Sequence, residues 1–391
     1  MAPLLGVAFL GTLAFSAFWS FVGIWAASNM HAGATAIGVM YALNAGAAAA
    51  TAYIGGRVSD KIGRSRTIAL ALGLESLATL FLATVTRGWV TGMVLVVIAG
   101  AASGPVFAGT NALVADMKPE SKREDAYGTL RVALNVGYMI GPPVGAMALM
   151  IGHWEALYVG VAIIGFASAL LAIYTLPVVR KPSSQAEGTS LQGILHHTPF
   201  LLLLLSTFFG LMVYVAYEVI LPIAMVTSYH IQAPTWGILA TIDPVVVSLF
   251  QARFTRRIMA TPVSYKMIMG LLLMGLPFLI LLLGRTPIFI AMVVFIFAMG
   301  EMVWAPTSLG WATKLAPVGA QGAYMGAYAA AGSVAWAVAP FVDLHFRSIL
   351  GIVLAWKATV VMSGLAAAFG LASTRTYQRR VAAASASRKT S

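Results

Sequence analysis

Four carboxylates stand where the chain is otherwise too apolar to hold a charge: Glu75 in ALGLESLATL, Glu218 in VYVAYEVILP, Asp243 in ILATIDPVVV and Glu301 in FIFAMGEMVW. An ionised side chain in the middle of a membrane helix costs about 2.5 kcal/mol or more, so such a group faces water, finds a partner or gives up its charge. Desolvation favours the neutral acid and moves carboxyl titration toward neutrality, which suits a group that takes up and releases a proton. A permanently protonated, hydrogen-bonded helix contact is the plainer reading of each. The same apolar runs carry Trp19, Asn44, Asn111, Asn135, Tyr138, Tyr214, Trp304, Tyr324, Tyr328 and Trp336. These suit a cavity for a lipophilic, partly polar solute, although aromatics in membrane helices also pack or anchor at interfaces.

Other chemistries lack their residues. There is no phosphate-binding Gly-rich loop with Lys and Ser or Thr, no catalytic triad and no nucleophile elbow. The six histidines (His31, His153, His196, His197, His230 and His345) fall at predicted helix ends or loops, and none is spaced for a helical metal site. With no cysteine, disulfide and thiolate chemistry are excluded. We expect neither an enzyme nor a cofactor.

The elements that position these residues follow from composition. The chain of 391 residues is 60% hydrophobic and 9% charged, against about 25% charged for a soluble domain. It reads as an all-α integral membrane protein, and its net charge of +12 is then a matter of loop placement rather than of nucleic-acid binding. A membrane helix needs about 20 apolar residues. That length divides the chain into twelve predicted helices, at 4–29, 33–56, 66–86, 90–115, 125–151, 155–179, 199–228, 233–254, 264–284, 287–313, 319–345 and 348–374. The first run lacks a basic start and is longer than a signal-peptide core, so it counts as helix 1.

Residues 180–198, rich in Pro, Ser and Gly, form a linker between two six-helix bundles at 1–179 and 199–374; a basic tail at 375–391 reads as disordered and held to anionic lipid. Every second loop is basic: Arg57, Lys61, Arg64, Arg66, Lys118, Lys122, Arg123, Arg180, Lys181, Arg253, Arg256, Arg257, Lys266 and Lys314, then Arg375, Arg379, Arg380, Arg388 and Lys389 in the tail. The other side has little beyond Arg87, Arg285, Arg347 and Lys357. The asymmetry predicts a multi-pass protein of the cell membrane with both termini cytoplasmic. Pro119, Gly128 and Pro142 recur 198 residues on, at Pro317, Gly326 and Pro340, as a duplication would leave them. The same offset carries Asp60 to Ile258, so the halves are related but not equivalent.

Between helices 2 and 3 lies GRVSDKIGRSR, residues 56–66, too charged for hydrocarbon and with two glycines for a tight reversal. Its pattern Gly56-x-x-x-Asp60-x-x-Gly63-Arg64 resembles the helix 2–3 loop of the major facilitator superfamily. Helix 5 adds Gly137-x-x-x-Gly141-Pro142-x-x-Gly145. By itself this reads as a kinked, close-packed helix face; in this position it resembles the antiporter motif of the superfamily's twelve-helix drug:proton antiporters.

The resemblance implies that Asp60 and Arg64 form a charge relay with Asp116 at the end of helix 4, latching the cytoplasmic ends of the bundles in the outward-open state; Arg131, about two turns into helix 5 from its cytoplasmic end, reads as a latch or packing residue. It also implies that helices 1, 4, 7 and 10 line the cavity. That ranks Glu301 first as proton carrier, then Asp243 and Glu218, with Glu75 last. Two departures stand out: Val58 replaces the usual Leu of the loop motif, and helix 4 carries no charge where these exporters commonly have Arg. The stretch GEMVWAPTSLGWATKLAP around Glu301 also resembles helix 10 of proton-coupled peptide transporters, but helix 1 lacks their charged cluster, which argues against peptide import. The expected activity is export of a small lipophilic compound in exchange for protons by a monomer in the bilayer. A proton symporter or uniporter importing a metabolite is the alternative, and a non-transporting sensor or scaffold leaves the midplane acids unexplained.

Overall fold

A computed structural model describes residues 1–85, 88–119, 122–178, 196–317 and 320–390; side chains at 53, 56, 57, 60, 115, 123–125, 152, 321–322, 384 and 386–390 are outside the description. Most of the predicted linker, 180–195, lies outside the described residues. Among the described residues twelve helices are long and apolar enough to cross a membrane: α1 Ala2–Ser28, α2 Ala34–Ala52, α3 Arg64–Thr84, α4 Trp89–Val114, α5 Ala126–Ile151, α6 His153–Thr175, α7 Thr198–Thr227, α8 Ala233–Arg257, α9 Val263–Leu282, α10 Pro287–Leu315, α11 Ala323–Leu350 and α12 Ile352–Ala383. Helices satisfy their own backbone groups, which is the condition for crossing hydrocarbon.

Two sequence expectations are corrected. The loop at 56–66 is a single-residue corner: the helix containing α2 continues to Ile62, and α3 begins at Arg64. Gly63 makes the turn alone at φ 100°, a conformation that residues with a Cβ rarely adopt. The tail expected to be disordered instead continues α12 as helix to Thr390, since its run of Ala, Ser and Arg contains neither Pro nor Gly to stop it. Helices α5 and α6 likewise share one run, Arg123–Thr175, turned at His153, whose φ is 50°. Two spans change helical pitch: α7 contains a π turn at Ala216–Ile220, and α9 tightens to 3-10 geometry over Leu276–Leu282.

Contacts divide the chain into two compact units. The first holds Met1–Ser184, Glu218–Pro244 and Pro340–His345; the second holds Gln185–Tyr217, Val245–Ala339 and Phe346–Ser391. Without a hydrophobic drive between helices in lipid, association rests on close packing and on side chains that reach a neighbour's backbone. The first unit shows both. Gly137 and Gly141 of α5 lie against the backbone of α1: a methyl added to Gly137 would fall 3.0 Å from the Phe9 carbonyl oxygen, and one added to Gly141 would fall 2.8 Å from that of Leu13. Ser16 crosses the seam by donating to the Gly137 carbonyl at 3.1 Å. Gly145 completes the row against the Phe21 ring. Ser168 of α6 donates to Val7 of α1 at 2.9 Å, and Thr51 of α2 to Ala101 of α4 at 2.6 Å.

The second unit is stitched the same way. On α12, Ser363 donates to the Leu271 carbonyl at 2.7 Å and Ser373 to that of Pro199 at 2.6 Å, while Ser206 of α7 donates to Ala366 at 2.8 Å. At the start of α7, His197 Nδ1 lies 3.0 Å from the Tyr324 hydroxyl of α11, and Arg380 of α12 donates to Thr198 at 3.0 Å. Burial and then the Arg380 charge hold the His197 imidazole below its usual 6.5.

Two predictions follow from this packing. Gly141→Ala should lower the thermal midpoint in detergent, by a cost of about 1–3 kcal/mol for overpacking. Gly46→Ala, where nothing lies within 4 Å, should leave it unchanged or raise it, and equal losses at both sites would contradict the seam. Because the folded state binds the His197 proton more weakly than the unfolded chain, its contribution is complete above about pH 6.5 and is lost as pH falls through the folded value. Melting curves between pH 8 and pH 5 should therefore lose less stability on acidification in His197→Phe than in the parent.

Candidate functional site

The first candidate cluster sits at the Gly63 corner. Arg64, 7% exposed despite its charge, donates through Nε to Asp116 Oδ2 at 3.2 Å and through Nη1 to buried Ser59. The corner is what makes this reach available. It starts α3 on the residue after Gly63, so the guanidinium turns back toward the last turn of α2 and across to the end of the α4 helix. A nearly dry Arg–carboxylate pair holds its partners together more strongly than a surface pair, and breaking it strands the other charge. The side chains of Gly56 and Asp60 lie outside the described residues, and Arg131 is exposed on α5. Nearby, Tyr127 of α5 donates to the Asn111 carbonyl of α4 at 3.0 Å, and the Asn111 amide donates to Phe107 at 2.9 Å.

The second cluster gathers on Glu218. The indole N–H of Trp19 donates to Glu218 Oε2 at 3.1 Å. Trp19 stacks on Phe15 with ring centres 5.6 Å apart and meets the edge of Tyr41 at 5.2 Å, and Phe15 meets Tyr138 at 6.5 Å. Helices α1, α2 and α5 thus bring aromatic faces around one carboxylate, whose charge is within electrostatic reach of the Tyr41 and Tyr138 phenols. Tyr41 is buried at 3% exposure, whereas Tyr138 is open at 46%. Glu218 stands on the π turn of α7; such turns are frequent at functional sites because the extra residue re-aims a side chain without ending the helix. The arrangement can hold a proton on the carboxylate, keep an acceptor facing Trp19 in either protonation state, and offer ring faces to an apolar or cationic solute.

The other carboxylates stand elsewhere in their units. Asp243 is buried on α8 just after the helix interruption at Thr241, and Glu75 is buried on α3. In the second unit Glu301 is half-buried on α10, beside Gly300, where a methyl would fall 2.6 Å from the Gly270 carbonyl of α9.

Of the cavity candidates in the first unit, Trp19 and Tyr138 join the Glu218 cluster. Asn44 is buried and donates to the Val96 carbonyl at 2.8 Å, tying α2 to α4. Asn135 is exposed on α5. In the second unit Trp304 is 3% exposed, with its indole over Gly210 and its Cβ against Gly270, so it fills the α7–α9–α10 junction. Tyr214 packs between Phe297 at 5.6 Å and Trp336 at 6.2 Å. Tyr328 donates to Ser308 at 2.9 Å, with Thr207 3.4 Å from the same hydroxyl. Among the described residues no group of three His, Cys, Asp or Glu side chains could hold a metal ion.

Sequence reasoning missed Phe15, Tyr41, Ser59 and Asp343. The first three are ordinary residues on apolar or loop-like stretches and gave no signal. Asp343 did give one, an acid within an apolar run, but the predicted end of helix 11 at 345 left it at a rim; α11 in fact continues to Leu350. For the Arg64 corner, a double-mutant cycle of Arg64→Ala and Asp116→Ala on thermal unfolding should show a coupling of about 0.5–3 kcal/mol. Strict additivity would mean that the pair holds nothing.

The geometry agrees with what comparison brings. Among curated proteins the chain is 25% identical over 324 residues to the uncharacterized MFS-type transporter YttB of Bacillus subtilis (81% of this chain and 81% of that one). It is 24% identical over 321 residues to a Na(+), Li(+), K(+)/H(+) antiporter of Planococcus maritimus (73% and 75%). Over 122 residues, 31% of each chain, it is 28% identical to the quinolone resistance protein NorA of Staphylococcus aureus. Its fold matches crystal structures of variants of the peptide transporter POT (TM-score 0.79, 16% identity, covering 96% of this chain and 94% of that one) and of the nucleoside transporter NupG (TM-score 0.79, 14% identity, 96% and 98%). A model of the Major Facilitator Superfamily matches residues 4–340, and the chain accordingly belongs to that family: it is a twelve-helix, multi-pass membrane transporter of a small molecule, and not an enzyme.

Proposed function

We propose that this transporter exports a small, lipophilic, partly polar compound in exchange for protons by alternating access, with Glu218 as the principal proton carrier and Glu301 second. The observation that carries this reading is the Trp19–Glu218 hydrogen bond within a set of aromatic rings. The carboxylate is an acidic handle set among aromatic rings, and proton and solute compete for it. Protonation removes its charge and weakens its hold on the solute; release of the proton restores both. That competition is the minimal device for antiport, because the carrier then reorients with one occupant at a time. The glycine row of α5, whose motif resembles that of the antiporters, supports it by packing closely on α1 within the first unit. Two relatives, one named as a cation/H(+) antiporter and one as a quinolone resistance protein, support the direction and the solute class.

In this cycle the two six-helix halves, 1–179 and 199–374, alternate the exposure of the site, and the Arg64–Asp116 pair steadies one end state. Both termini face the cytoplasm, a reading supported by the basic loops. The second reading, symport or uniport of a metabolite, is favoured by the complete absence of charge from α4.

The test is purified protein in liposomes loaded with a pH-sensitive dye, under an imposed proton gradient, with lipophilic cations, neutral drugs, sugars and peptides added in turn. Proton movement opposite to one class establishes antiport, and Glu218→Gln should reduce it at least about tenfold, the loss of a 1.4 kcal/mol interaction or more. Proton movement with the solute would establish symport instead, and full coupling in Glu218→Gln would remove that residue as carrier.

A further inference from the structure

The first unit contains an acid that this cycle does not use. Asp343 of α11 is 7% exposed, and its Oδ2 is buried with no hydrogen-bond partner among the described residues. It follows Pro340, which removes a backbone donor from the helix and allows it to bend. The turn after that proline rests on the start of α2: a methyl added to Gly38 would fall 2.5 Å from Phe341 Cα and 3.0 Å from Phe341 Cβ. The backbones of α2 and α11 therefore meet directly at a residue that has no side chain to interlock. Such a contact closes tightly and parts cleanly.

The groups around this contact are few. The α2 span Ala34–Ala52 contributes Tyr41 as its sole titratable side chain, and α11 contributes His345 and Arg347 on the turn beyond. His345 stacks flat on Phe341, with ring centres 5.9 Å apart.

We propose that Asp343 is a proton-binding residue of the transport cycle, and that its protonated form holds the α2–α11 contact closed. An ionised carboxylate with a buried, unsatisfied oxygen carries a large desolvation penalty, most of which the neutral acid avoids. Parting α2 from α11 admits water. The Asp343 O–H then loses its proton to that water and the carboxylate is solvated. Closing again requires a proton to return. The contact thus opens with release of one proton. The inference rests on the transporter reading but not on antiport, and its test uses neither substrate nor gradient.

The natural chain has no cysteine, so Val39→Cys and Phe346→Cys, both at exposed positions, accept spin labels without a background. Their distance distribution in nanodiscs between pH 5 and pH 8 should show two populations. The open-to-closed ratio should rise about tenfold per pH unit, as linkage to one proton requires. Asp343→Asn, which mimics the neutral acid, should stay closed at every pH, and its closed distance also shows that it has folded. Asp343→Glu should restore the slope. An unchanged slope in Asp343→Asn, or a parent whose populations ignore pH, would overturn the proposal.

Discussion

Hydrocarbon leaves no backbone donor or acceptor unpaired, and the structure depends on that constraint throughout. It explains why the described membrane spans are helices, and why the helices then face a second difficulty. Lipid tails are as apolar as leucine, so apolar side chains alone do not draw one helix to another. The protein meets this with close backbone approach and with short hydroxyl side chains that bond to a neighbour's carbonyl. Ser16 on Gly137, Ser168 on Val7, Ser363 on Leu271 and Ser373 on Pro199 are the same device used in both units.

Against this regular background, three departures from helical geometry coincide with charged groups. Glu218 stands on a π turn, Asp243 follows the interruption at Thr241, and Arg64 starts the helix after Gly63. The coincidence has a physical basis. A straight α-helix fixes the direction of each side chain by its place in the 3.6-residue repeat, and an extra residue or a missing donor is the cheapest way to re-aim one. A membrane protein that must hold and release charge needs such re-aiming where charge is most expensive.

The two acids of the proposed cycle differ in their surroundings. Glu218 has an indole donor and aromatic walls, with a half-exposed tyrosine at its edge. Glu301 lies beside a glycine contact between α9 and α10, and neighbouring Trp304 is committed to packing. In our proposal Glu218 therefore comes ahead of Glu301, because its carboxylate stands among aromatic faces. Membership of the family is compatible with either.

The sequence by itself determined the number of membrane spans, their approximate limits and the family. These are local properties, since a run of about 20 apolar residues is sufficient evidence of a span, and the motifs at 56–64 and 137–145 lie within single short stretches. It also pointed to the Arg64–Asp116 pair, through the resemblance, before any distance was known. Only the tertiary structure decided which acid the aromatics surround, that Trp304 fills the α7–α9–α10 junction, and that Asp343 is buried. In helices apolar on every side, the repeat no longer marks the inward face. Trp19 and Glu218 are 199 positions apart; nothing in either stretch encodes the other, and the pair exists only because α1 and the π turn of α7 pack into the same unit.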